Sequence, residues 1–197
     1  MNPNAVANPR SGPRNQDAFT LTELLVVLGC VAALALLALT ARAHSQPSSD
    51  RAVCANNLRR LMQAWQMYAD DYSGRLMANS SLRGDRGWVD GRLDFSPSNL
   101  DNTSPLKLTN AAYAAIGPYV NSATLFRCPA DLSTLVVGGM PKLRVRSYSM
   151  GDVMGPPESG WNPNIQVMSN LNQISVPEKT FVILEEHPDG INDSVIV

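Results

Sequence analysis

Leu24 to Ala41 is a run of 18 residues without a charge, and a single glutamate, Glu23, stands directly before it. A run of that length comes close to the ~20 helical residues needed to cross a hydrocarbon core of ~30 Å. This part of the chain therefore reads as a membrane segment or a signal sequence. A carboxylate is costly there, ~2.5–3.5 kcal/mol at the centre of a spanning helix, and calls for a partner. Arg10 and Arg14 precede the run, while Arg42, Arg51, Arg59 and Arg60 follow it. A count of positive charges on the two sides does not set its orientation. Ala41-Arg42-Ala43 also fits the small-x-small pattern of conventional signal cleavage, which would release a soluble chain beginning at His44. The length of the run and the glutamate near its start favour a retained helix instead.

Downstream the apolar pattern changes twice. Pro47 should kink or break the helix that begins near Phe19, and Ser48, Ser49 and Asp50 are suited to cap a restart. Val53, Cys54, Asn57, Leu58, Leu61, Met62, Trp65 and Tyr68 then recur at intervals of three and four residues, which predicts an amphipathic helix stopping near Asp71 or Tyr72 with Gly74 beyond. Its apolar stripe needs a covering layer. After Gly74 helical periodicity fades, and Pro, Gly, Asn and Ser punctuate the chain. Arg86–Leu93, Leu135–Val137, Leu143–Tyr148 and Thr180–Leu184 are the expected strands, Thr109–Ile116 a short helix, and Gly138-Gly139 a turn.

Ala18-Phe19-Thr20-Leu21-Thr22-Glu23, a polar leader ending at a small residue and followed by Phe and a lone Glu, resembles the processing site of type IV prepilins and type II secretion pseudopilins. Cys54-Ala55-Asn56-Asn57-Leu58, Tyr68-Ala69-Asp70-Asp71-Tyr72-Ser73-Gly74, Trp88-Val89-Asp90-Gly91, Phe126-Arg127-Cys128-Pro129-Ala130-Asp131 and Ser147-Tyr148-Ser149-Met150 extend the resemblance to a pseudopilin-like family abundant in Planctomycetes and Verrucomicrobia. The resemblance implies cleavage by a prepilin peptidase between Ala18 and Phe19, methylation of the new terminal amine, and an assembly role for Glu23, whose carboxylate neutralises the amine of a neighbouring subunit. It also implies an inner-membrane protein with a cytoplasmic leader and a periplasmic head, whose partners are other pilin or pseudopilin subunits. Members of that family usually continue past the segment that here runs from His187 to Asp193. A chain stopping at Val197 is thus expected to be shortened or truncated, with an exposed sheet edge.

The side chains that carry chemistry are sparse. Cys30, Cys54 and Cys128 lie far apart, with no Cys-x-x-Cys and no ligand spacing to His44 or His187, so they do not outline a metal site. Cys54 and Cys128 would both be extracytoplasmic, where a disulfide persists; a bridge and two packed thiols are equally compatible with the sequence. Glu185, Glu186, Asp189, Asn192 and Asp193 form an oxygen-rich cluster. Glu186, Asp189, Asn192 and Asp193 are candidate calcium ligands on the loose analogy of type II pseudopilins. The spacing departs from an EF-hand loop, with Ile191 where an oxygen is needed, and favours a solvated acidic turn. No nucleophile motif or phosphate-binding glycine loop is present, which points away from an enzyme. Arginines are scattered without a dense basic run, and loss of Arg10, Arg14 and Asp17 with the leader takes a net +1 from the formal −1 and leaves −2, so nucleic acid is not an expected partner.

These readings combine into an α+β chain: a long N-terminal helix, transmembrane and then amphipathic, packed on a small antiparallel, loop-rich head of pilin-like type. The expected boundaries are a leader at 1–18, an assembly helix at 19–46, an amphipathic helix at 48–72 and the head at 73–197. The alternative is a tethered or secreted binding module in which Trp88 and Trp161 recognise glycans; the bland reading of both tryptophans is a plug in a small core. A hydrolase stands third.

Overall fold

The structure is a computed structural model that describes residues 20–79, 86–156 and 166–196, without the side chains of 35–48. Ala18, Phe19, the leader and Trp161 lie outside the described residues. The chain divides into two compact units, Met1–Ser45 and Gln46–Val197. Its class is mixed α+β, with small sheets and short helices.

Helix α1 is bounded by Leu21–Asp71 and contains Pro47 within it, so the expected break and the capping restart at Ser48–Asp50 are not found. A proline deletes one backbone hydrogen bond and crowds the preceding turn, which bends a helix without obliging it to stop. In the unit Met1–Ser45, the described large apolar side chains from Leu21 to Leu34 are all at least half exposed. Among the described residues no helix is long and apolar enough to cross a membrane. The uncharged run itself extends to Ala41, beyond the side chains described.

In the unit Gln46–Val197, the stripe of α1 becomes one wall of the core. Cys54, Leu61, Ala64, Trp65 and Ala69 are buried, with Leu58, Met62 and Tyr68 packed against them. Val53 belongs to the same sequence pattern yet stays exposed. The facing wall is not made by one sheet. Leu76, Met77, Trp88, Val89, Ile116, Leu125 and Phe126 arrive from loops and short turns of helix, and Tyr148, Met150 and Ile183 from strands.

Two small sheets are present among the described residues. Strands β1 (Thr134–Val137) and β2 (Met140–Leu143) pair antiparallel as a hairpin. Its two-residue turn is Gly138-Gly139, both at positive φ, 61° and 79°, as the hairpin twist requires. Strand β3 (Tyr148–Gly151) lies between β4 (Ile183–Glu185), antiparallel to it, and β5 (Val195–Ile196), parallel to it.

The structure corrects three expected elements. Leu143–Tyr148 is not a strand but the connection between the end of β2 and the start of β3. Arg86–Leu93 is not a strand, because Trp88 N–H donates to the Ala78 carbonyl and its own carbonyl accepts from Ile116, while Asp90 folds back on the Gly91 N–H. The short helix α2 occupies Leu106–Thr109 rather than Thr109–Ile116. Asn110 ends it, its side-chain oxygen taking the Ala112 N–H at 2.8 Å, the local competition by which asparagine favours turns. Gly155, at φ 89°, passes so close to the Met77 carbonyl that a Cβ there would lie 2.1 Å from its oxygen, and only glycine fits.

Trp65 is 3% exposed at the centre of the α1 wall. Truncating a buried tryptophan typically costs ~3–5 kcal/mol, a large share of the stability of a small domain. Trp65→Ala should therefore lower the melting temperature markedly and make the unit protease-sensitive. Melting followed by circular dichroism checks this, and an unchanged transition would show that α1 is not part of the core.

Candidate functional site

Three places bear on function: the start of α1, the surroundings of the two cysteines, and the loop carrying the acidic cluster. At the start of α1, Thr20 and Glu23 close on each other. Glu23 Oε2 accepts from the Thr20 N–H at 2.9 Å and from its hydroxyl at 2.7 Å, while Thr20 Oγ1 accepts the Glu23 N–H at 3.3 Å. This reciprocal pair is a capping box, which satisfies backbone donors that a helix otherwise leaves open. Thr20 is a residue that the sequence analysis passes over, although Thr-x-x-Glu ahead of an apolar run is its signature. The acid also favours the helix through its position at the positive end of the dipole.

Cys54 and Cys128 form a disulfide that ties α1 to the segment after Phe126. Around it lies a polar nest. Ser147 donates its hydroxyl to Asp131 Oδ2 at 2.6 Å and its oxygen accepts the Cys128 N–H at 3.2 Å. Asn57 donates to the Arg127 carbonyl at 3.0 Å, holding the same segment from the helix side. The Tyr148 hydroxyl is buried in this nest without a hydrogen bond, and burial together with Glu185 pushes its pKa above the ordinary phenol value. Burial and the nearby Asp131 likewise raise the Glu185 carboxyl. Carboxylates beside a buried disulfide disfavour thiolate, so the setting resists reduction rather than promoting exchange. Cys54, Cys128 and Glu185 bring ligand atoms within 4.8 Å of one another, but two of the three are used by the bridge.

The acidic loop is organised differently from a cation site. Among the described residues Glu186, Asp189 and Asp193 are not gathered into a group of ligand atoms. Asp189 faces solvent, its side chain 79% exposed and 3.7 Å from His187 Nδ1. Asp193 Oδ1 accepts the Val195 N–H at 2.9 Å, and the Asn192 carbonyl accepts the Leu93 N–H at 2.7 Å. Ile191, where a calcium loop would need an oxygen, is buried.

Two arginines that the sequence analysis does not single out hold this loop. Arg144 donates to the carbonyls of Pro188 at 2.9 Å and Ile191 at 3.3 Å, with its guanidinium 4.6 Å over the ring of Phe95. Arg146 donates to the carbonyls of Tyr148, at 2.9 Å, and Asp193. Both are fully buried. Burial lowers the Arg146 pKa to about 10, opposed by the charges of Asp193 and Glu186; at neutral pH it remains a cation. Nothing in Arg-Val-Arg distinguishes this pair from surface residues, and arginine is almost never fully buried unless its donors are used. Trp88 is also interior, its indole N–H donating to the Ser194 carbonyl at 2.8 Å, which removes it from any ligand-binding face.

Replacing Arg146 by Met leaves two interior carbonyls without donors, at ~1–3 kcal/mol each. Arg146→Met should destabilise the unit by several kcal/mol in urea titration, and Arg146→Lys, too short to serve both acceptors, should recover only part. The bridge closes a loop of 74 residues, for which the chain-entropy account gives about 4 kcal/mol. Non-reducing mass spectrometry should find Cys30 alone alkylatable, and reduction should lower the unfolding midpoint accordingly. Compared with protein families, curated proteins and solved structures, the chain matches no family model, no curated protein and no solved structure.

Proposed function

We propose that the protein is a pilin-like structural subunit, a pseudopilin, cut by a prepilin peptidase between Ala18 and Phe19 and built into a type II secretion-like or type IV pilus-like assembly. The observation that carries this reading is the start of α1: a capped helix whose large apolar side chains, Leu21 to Leu34, are at least half exposed among the described residues. Such a surface must be covered, by lipid before assembly and by the helices of neighbouring subunits afterwards. On this reading the head is periplasmic, the leader cytoplasmic and the helix an inner-membrane anchor. A disulfide in the head accords with an oxidising compartment.

The capping box refines the role of Glu23. Both intramolecular bonds fall on Oε2, and Oε1 is left to accept from the methylated amine of another subunit. Capping and assembly are separable, because glutamine sustains a capping box and carries no charge. The binding-module alternative loses one of its two aromatic candidates to the core, since Trp88 is buried.

Intact-mass and N-terminal analysis of the membrane fraction should give a chain beginning at methylated Phe19; a terminus at His44 would sink the proposal. Glu23→Gln should leave helix content and head stability unchanged while reducing incorporation into filaments at least tenfold. Thr20→Ala, which loosens the cap but keeps the charge, should assemble nearly as well as the wild type. Should Thr20→Ala and Glu23→Gln fail alike, capping alone would account for the glutamate.

A further inference from the structure

Beyond α1 the chain leaves the helix through Ser73 and Gly74, and there a cleft of about 150 Å³ opens, lined by Tyr68, Tyr72, Arg75, Leu76, Ala78, Arg86 and Pro156. Its polar side chains are two phenols and two guanidiniums, each able to donate. Tyr68 and Tyr72 stack with ring centroids 4.3 Å apart, and Tyr119 meets Tyr68 edge-on at 6.0 Å. Among the described residues, neither tyrosine hydroxyl of the cleft has a hydrogen-bond partner, and neither arginine takes part in an ion pair. Arg86 is anchored by donation to the Ala111 carbonyl, and Arg75 by the backbone bond from its N–H to the Tyr72 carbonyl at 3.1 Å.

Among the described residues, the acid at the end of α1 does not fill the role of counter-ion. Asp71 lies outside the lining and is held by the Tyr119 hydroxyl at 2.8 Å. The carbonyl end of α1 contributes about half a negative charge, which two guanidiniums outweigh. A guanidinium offers paired N–H donors matched to the oxygens of a carboxylate, sulfate or phosphate, and its bonds to an ionised acceptor are about twice as strong as neutral ones. Phenol O–H groups beside it add donors without adding charge.

We propose that the cleft formed by Tyr68, Tyr72, Arg75 and Arg86 is a binding site for an oxyanion group carried by an extracytoplasmic ligand. The group is a carboxylate, or a sulfate or phosphate ester. The role is independent of filament assembly, since the cleft belongs to the unit Gln46–Val197 and Glu23 to the unit Met1–Ser45.

The test is isothermal titration of the full chain in non-ionic detergent with inorganic sulfate, inorganic phosphate and acetate, at constant ionic strength held with chloride. Saturable one-to-one binding of at least one anion is expected, weakened tenfold or more by Arg75→Gln and by Arg86→Gln. Preference for sulfate or phosphate identifies an ester as the source, and preference for acetate a carboxylate. Because Arg86 also holds the Ala111 carbonyl, Arg75→Gln with an unchanged melting temperature is the deciding variant. Absence of saturable binding by the wild type, or wild-type affinity in Arg75→Gln, overturns the proposal and leaves the arginines as complements to the helix end.

Discussion

A domain whose ladders are as short as these must satisfy most of its interior backbone by other means, and that constraint shapes everything around α1. An unpaired buried carbonyl or N–H costs as much as a lost hydrogen bond, and two small sheets supply few partners. Side chains supply the rest. Asn57 serves Arg127, Asn79 serves Asp152, Trp88 serves Ser194, and Ser194 in turn donates to the Asn79 carbonyl. Arg144 and Arg146 are the largest members of this set, each bridging two backbone carbonyls. The acidic residues between His187 and Asp193 surround a loop whose backbone is held by cations from inside.

What was legible in the sequence follows from how local each signal is. The stripe from Cys54 to Tyr68 and the turn at Gly138-Gly139 depend on spacing and on backbone chemistry that a window of a few residues contains, and both are found. The short helix and the strand expected at Arg86–Leu93 fail because Asn110 and Asp90-Gly91 redirect the chain, a competition that apolar pattern does not register. The interior arginines were illegible for a deeper reason. Their partners are backbone carbonyls, which every residue has, so no residue type marks them in advance. At α1 the reverse holds: Thr20 and Glu23 carried a readable capping signature that the isolation of Glu23 obscured.

Glu23 illustrates how one carboxylate reconciles two demands. The helix start needs an acceptor for its open N–H groups, and the proposed assembly needs a charge for a neighbouring amine. Two oxygens permit both, provided the cap occupies one of them. On that proposal, geometry of this kind makes an isolated subunit tolerable before a partner arrives. The cap also orders the carboxylate in advance, which would lower the entropy lost when subunits meet.

The disulfide has a consequence for the order in which the protein is made. Cys54 and Cys128 both precede Ser147, yet Ser147 is the residue that takes the Cys128 N–H, fixes Asp131 and donates its own backbone N–H to the Phe126 carbonyl. The template for the bridge is thus encoded 19 residues beyond the second cysteine, directly before the strand that carries Tyr148 and Met150 into the core. If the head is exported as proposed, the two thiols would emerge before the segment that aligns them. Correct oxidation would then mark delivery of the later half of the chain, and a translocation intermediate halted between the two would carry the cysteines without the means to register them.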